Sequence, residues 1–273
     1  MVYKKILLKE IDPRFTDESL SLSIYISDSN EAVNKRPGML VCPGGGYAHC
    51  SPRESEPVAF RFLSEGFNCF ILNYSVKKKY PAPYLDLALA VSYIRNHEEE
   101  FNLFPNSLSI VGFSAGGHLV DSFGFLYPEL AKEIGVNEEL LRPFSIVSCY
   151  AVTLMGMKTH GGTRDVICEG DIELEKKLDV PSNVTNLYPP TFIWTTKDDG
   201  AVPYVNSTLF AEKLKELGVK HELYVFESGW HGSSVCNRSC YKKEDITEKM
   251  KDIRDWASLA ADFIFDLFDS QSH

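Results

Sequence analysis

An α/β fold, with a mostly parallel central sheet and helices on both faces, is the architecture this chain predicts. Three observations carry that prediction. Short apolar runs alternate with segments of helical periodicity from about Leu20 to the C-terminus. Most of these runs are apolar almost throughout rather than at every second position, the habit of strands covered on both faces. A glycine-flanked serine, Gly112–Gly116 (GFSAG), stands where one such run passes into a helix. The 273 residues are 44% hydrophobic, enough for one large core and no argument for two domains.

The elements follow in order. Leu20–Ser27 (LSLSIYIS) alternates and reads as a strand. Gly38–Cys42 is a short buried strand, and a helix begins near Pro57, a residue suited to a first helical turn. Phe67–Tyr74 (FNCFILNY) is the next buried strand, and a helix from about Tyr84 puts Leu87, Val91 and Ile94 on one face. Ser107–Val111 (SLSIV) leads into the serine turn and a helix through Phe125. Phe144–Tyr150 and Thr191–Thr195 are further buried strands. A helix with Phe210, Leu214 and Leu217 precedes strand Glu222–Phe226. The last helix bears a stripe of Ile253, Trp256, Ala260, Phe263, Ile264 and Leu267. Thr153–Thr185 breaks the rhythm: it is polar, carries glycines and has no strong period. A long insertion of this kind in a compact domain is expected to form a small cap, with EGDIELEKK as a surface helix. The expectation is therefore a single domain over 1–273 with a cap insertion at 153–185.

A net charge of −10 argues against a nucleic-acid partner. No run approaches the roughly 18 apolar residues that span a bilayer. The start, MVYKKILLKE, has too short an apolar run for a signal peptide and soon meets Asp12 and Pro13. The expected location is the cytoplasm, with no membrane partner; self-association is left open. Seven cysteines are an odd number, and Cys42, Cys69 and Cys149 sit inside apolar strands as small core residues. Cys236 and Cys240 have local spacing but no further ligands nearby, so free thiols are expected.

Sites in this fold class lie beyond the carboxyl ends of the strands. Four such positions carry chemistry. Ser114 sits on the strand-to-helix turn, where helix-start N–H groups point at its hydroxyl. Pro43–Tyr47 (PGGGY) follows Gly38–Cys42, and its glycines free backbone N–H groups as an oxyanion hole requires. A phosphate loop would add a Gly-Lys-Ser/Thr ending, which is absent. Lys197–Pro203 (KDDGAVP) offers Asp198 and Asp199, either able to hold a histidine tautomer while the other serves a turn or cap. His231, in ESGWHGSS, follows a core strand between Gly229 and Gly232. His118 reads as a packing or hydrogen-bonding residue, Tyr47 and His49 as substrate contacts, and His97, His160, His221 and His273 as surface or cap residues.

The chain order Ser114, Asp, His231 is that of α/β-hydrolases. Through PGGGY, SPRESEP (Ser51–Pro57), FILNYSV, GFSAGGHL, KDDGAVPYVNS and ESGWHG, the chain resembles that superfamily from about Gly38 onward. Within it, the chain is similar to the esterase/lipase branch of acetyl-xylan esterases, a subgroup often labelled sugar hydrolases or endo-xylanase-like esterases. The resemblance implies a serine esterase acting on small acyl groups, plausibly acetyl groups of sugars, with no metal or organic cofactor. It makes Ser114 the nucleophile, His231 the base and Asp199, through its D-x-x-V-P pattern, the acid. Ala115, Gly45 and Gly46 become the oxyanion donors. Pro43 departs from the His that often opens lipase-type glycine motifs. The peptidase or amidase branch of prolyl oligopeptidases and a non-catalytic binding protein are the alternatives. The short segment before Gly38 and the intact Ser, Asp and His argue against them.

Overall fold

The computed structural model describes residues 1–29, 33–156 and 159–271. Its strands are β1 (Val2–Leu7), β2 (Ser21–Ile26), β3 (Arg36–Cys42), β4 (Asn68–Asn73), β5 (Leu103–Phe113), β6 (Ile146–Cys149), β7 (Thr191–Thr196) and β8 (His221–Phe226). They form one eight-stranded sheet in the order β1-β2-β4-β3-β5-β6-β7-β8. The β1–β2 and β2–β4 pairs are antiparallel, and every pair from β4 to β8 is parallel. The helices are α1 (Leu8–Ile11), α2 (Glu56–Ser64), α3 (Ala82–Asn96), α4 (Ala115–Ile134) and α5 (Glu138–Leu141). After β6 come α6 (Gly161–Cys168), α7 (Ile172–Leu178) and α8 (Val180–Asn183), then α9 (Val205–Glu216) and α10 (Trp256–Gln271).

The pleat explains the unbroken apolar runs. In β3, Leu40 and Cys42 point into one core while Met39 and Val41 point into the other. In β5, Leu108 and Ile110 face the first core, Val111 and Phe113 the second. Residues of α3, α4 and α9 fill the first core, among them Leu87, Leu119 and Phe210. Phe62 of α2 and Trp256 and Ile264 of α10 fill the second. Burying each of these large side chains contributes about 1.5–3 kcal/mol against chain entropy.

Three boundaries and one whole strand differ from the sequence expectation. β5 starts at Leu103, not Ser107, and runs to Phe113, delivering Ser114 directly at its end. α4 continues past Phe125 to Ile134 and closes on Gly135, whose left-handed backbone lets its N–H return to the Ala131 carbonyl. β1 was not expected from the pattern: as an edge strand with Val2–Lys5 exposed and Ile6 buried, it carries no apolar run. Ile253, expected in the last helix, lies in the 3₁₀ segment Glu248–Asp255 before α10.

The insertion at 153–185 carries α6, α7 and α8, each opened by a side chain that accepts helix-start N–H groups: His160, Asp171 and Asp179. Short, separately capped helices leave no long period to read. The insertion is fastened from below by His118 of α4. The His118 Nε2–H donates to the Leu178 carbonyl at 3.0 Å, and Nδ1 accepts from the Tyr47 hydroxyl at 2.9 Å. Burial pushes the His118 pKa down to about 4, so the ring is neutral and keeps one proton for Leu178. Every cysteine, Cys236 and Cys240 included, is a free thiol. No described helix is long and apolar enough to cross a membrane.

Asp121 of α4 is wholly buried, and among the described residues it accepts only the Ser148 hydroxyl, leaving Oδ1 without a partner. Desolvation by burial pushes its pKa up from the ordinary 3.8 to about 8. A raised carboxyl pKa favours the native state below the unfolded value and loses that favour as pH climbs towards the folded one. Wild-type melting temperature is therefore expected to fall more steeply between pH 4 and 8 than that of Asp121→Asn. Parallel curves from differential scanning calorimetry would contradict the assignment.

Candidate active site

Ser114 occupies a left-handed conformation, φ 53° and ψ −116°, that a side chain adopts only at a cost. Its surroundings hold it there. The Ser114 N–H donates to the Cys149 carbonyl at 3.0 Å, and its own carbonyl accepts from His118 and Val152. A Cβ at Gly116 would lie 2.2 Å from the Cys42 carbonyl oxygen and 2.4 Å from that of Pro43. Only glycine permits that approach, so the turn after β5 and the loop after β3 are pressed together by an absent side chain.

The two aspartates part company in their hydrogen bonds. Asp199 Oδ2 accepts from His231 Nδ1 at 2.7 Å, while its Oδ1 accepts the N–H groups of Ala201 and Val202. Asp198 turns the other way, accepting Ser228 Oγ at 2.8 Å and the Gly229 N–H at 2.6 Å. It anchors the base of the histidine loop. His231 Nε2 meets Ser114 Oγ at 2.8 Å. With Nδ1–H committed to a carboxylate whose side chain is 1% exposed, Nε2 is left as the acceptor for the serine proton.

The glycine loop lies beside this chain of bonds. Gly45 (φ 126°) and Gly46 (φ 63°) are left-handed, and a Cβ at Gly45 would sit 2.1 Å from the His49 carbonyl oxygen. Their N–H groups meet no acceptor among the described residues. Ala115, the first residue of α4, has no helical acceptor for its N–H either. Gly45, Gly46, Ser114 and His231 together line a cavity of about 500 Å³.

Sequence reasoning missed the group that joins the two loops. Glu54, inside SPRESEP, is buried, and its Oε2 accepts the Gly44 N–H at 2.9 Å. Its Oε1 accepts the Tyr150 hydroxyl at 2.7 Å, and Tyr150 Oη accepts the Ser234 N–H at 3.1 Å. The Tyr150 ring packs edge-on against His231, 5.1 Å between centroids. One carboxylate thus ties the glycine loop to the histidine loop. Nothing in the spacing of SPRESEP marked it, because its partners come from distant strands.

One expectation needs correction. Tyr47, expected at the substrate, is wholly buried in the core, and its hydroxyl is spent on His118. His160, read as a surface or cap residue, sits in the insertion and lines the cavity together with Gly162 and Val166 of α6. His49 and Arg53 also line it. No three His, Cys, Asp or Glu side chains gather to hold a metal among the described residues.

A family model, BD-FAE, matches residues 22–214. The chain belongs to the BD-FAE family. This BD-FAE chain is 34% identical over 211 residues to "Endo-1,4-beta-xylanase B" of Butyrivibrio fibrisolvens, covering 74% of the chain and 33% of that protein. It is 25% identical over 202 residues to "Acetylxylan esterase" of Xylanibacter ruminicola, covering 70% of the chain and 39% of the relative. The chain thus spans between a third and two fifths of the length of these curated relatives. Among solved structures, the acetyl ester-xyloside bifunctional hydrolase from Caldicellulosiruptor lactoaceticus superposes with TM-score 0.82 at 34% identity, over 97% of this chain and 96% of that one. The fold is that of the α/β-hydrolases.

Tyr150→Phe removes the hydroxyl that serves both Glu54 and Ser234. Leaving buried polar groups unpaired is expected to lower stability by about 1–3 kcal/mol, read by urea unfolding. An unchanged unfolding midpoint would dismiss the Glu54–Tyr150 tie as a stabilising link.

Proposed function

We propose that this chain is a serine carboxylic-ester hydrolase for short acyl groups, acting on acetyl esters of sugars or oligosaccharides. The observation that carries the reading is the continuous line Asp199–His231–Ser114, with bonds of 2.7 and 2.8 Å, opening on a cavity beside free glycine N–H groups. His231 Nε2 takes the proton of Ser114 as Oγ attacks the ester carbonyl. The developing oxyanion is met by the N–H groups of Gly45, Gly46 and Ala115, donors worth on the order of 3 kcal/mol each in comparable enzymes. Asp199 stabilises the imidazolium that forms. His231 then passes the proton to the leaving alcohol, and water attacks the acyl-enzyme by the same route.

The cavity lining supports a short acyl group and a polar alcohol. Among the described lining residues only Ala48 and Val166 carry aliphatic side chains, both small, while His49, Arg53 and His160 supply polar groups. The lining also favours ester over glycoside hydrolysis. Among the described residues lining the cavity, Glu54 alone carries a carboxyl, and Gly44 and Tyr150 already hold it. Glycosidases ordinarily work with a facing pair. The names of the relatives, an acetylxylan esterase and an acetyl ester-xyloside hydrolase, point to the same substrate class.

Two measurements test the roles. A fluorophosphonate probe is expected to label the wild type and not Ser114→Ala; equal labelling of both would refute the nucleophile. Asp199→Asn is expected to lose roughly 10³–10⁴ in kcat on p-nitrophenyl acetate, as when a triad histidine loses its tautomer. Asp198→Asn should lose far less, and the reverse ranking would exchange the two aspartates.

A further inference from the structure

His160 stands immediately before α6 and caps it. Its Nδ1 accepts the Thr163 N–H at 3.2 Å and lies 2.9 Å from the Thr163 hydroxyl. A ring nitrogen that accepts a backbone N–H carries no proton, so the neutral imidazole holds its proton on Nε2. Burial, with His231 close by, pushes the His160 pKa down, which keeps the ring neutral. The helix cap therefore fixes a tautomer, and the fixed proton is on the far side of the ring from α6.

The ring lines the cavity. Its Cε1 atom lies 3.8 Å from where a Cβ on Gly46 would stand and 3.3 Å from where one on Gly162 of α6 would stand, so the imidazole sits between the glycine loop and α6. Nε2 has no partner among the described residues, yet it is not one of the buried polar atoms left unpaired. The ring that carries this open donor lines the cavity that holds Ser114 and His231. Asn or Asp would cap α6 as well or better. Neither would reach past the cap to present a second donor.

We propose that His160 is a specificity-determining residue whose Nε2–H donates to an oxygen of the alcohol half of the ester, selecting polyhydroxylated alcohols. This rests on the esterase reading above. The leaving alcohol takes its proton from His231, so it lies on the His231 side of the cavity, and His160 is near enough to His231 for their charges to interact. A vicinal hydroxyl or ring oxygen of a sugar offers the acceptor that Nε2–H needs. An aryl alcohol such as p-nitrophenol offers none beside its ester oxygen.

The test is His160→Asn, which retains a cap for α6, assayed on a monoacetylated methyl xyloside and on p-nitrophenyl acetate. The ratio of kcat/KM for the xyloside to that for the aryl ester is expected to fall by roughly tenfold, mainly through KM, with melting temperature preserved. An unchanged ratio would overturn the proposal, as would wild-type protein that cleaves the aryl ester but not the acetylated xyloside. Wild-type protein inactive on both esters would instead sink the underlying esterase reading. Nitrogen NMR of the wild type with labelled imidazoles is independent of any variant: an Nε2–H tautomer at His160 is expected, and an Nδ1–H tautomer would refute the mechanism.

Discussion

The close approach of backbone at Gly116 is the constraint on which the rest of the site depends. With no side chain there, the carbonyls of Cys42 and Pro43 come against the first turn of α4. The contact sets the distance between the serine turn and the glycine loop, which belong to neighbouring parallel strands, β5 and β3. Ser114 is held in an unfavourable backbone conformation by three hydrogen bonds from the adjoining β6 region and α4. Strain of order 1–3 kcal/mol is tolerable because so many neighbouring contacts over-determine the turn. The position of Ser114 is thus a consequence of packing, set before any substrate arrives.

From that fixed turn the other loops are brought into register by polar groups. Asp198 braces the histidine loop, Asp199 orients the histidine, and Glu54 with Tyr150 joins that loop to the glycine loop. All three carboxylates have their oxygens committed to N–H or O–H donors. Buried polar groups arranged in this way add rigidity because losing one partner strands the other. The insertion is tied in through a separate line, Tyr47–His118–Leu178.

The parallel sheet, Ser114 and His231 were legible in the sequence because each depends on local pattern: apolar runs, glycine flanks and position after a strand. Turn chemistry alone did not separate the two aspartates, and only the D-x-x-V-P resemblance favoured Asp199. Both suit a turn, and only the arrival of Ser228 and Gly229 shows which one braces the loop. Tyr47 misled because residues after a glycine run often face the pocket, whereas this ring lies in the core with its hydroxyl on His118. Glu54 and His160 were illegible for a different reason. Their meaning lies in partners about 100 residues away, Tyr150 for one and Gly46 for the other. The edge strand β1 was hidden by its exposure, which removes the apolar signature that marks the inner strands.

A structure of the protein after reaction with a small alkyl phosphonate tests the central claim most directly. Phosphorus is expected bonded to Ser114 Oγ, with the phosphoryl oxygen within hydrogen-bond distance of the N–H groups of Gly45 or Gly46 and of Ala115. An adduct on another residue would contradict it. So would an adduct on Ser114 whose oxygen turns away from the glycine loop.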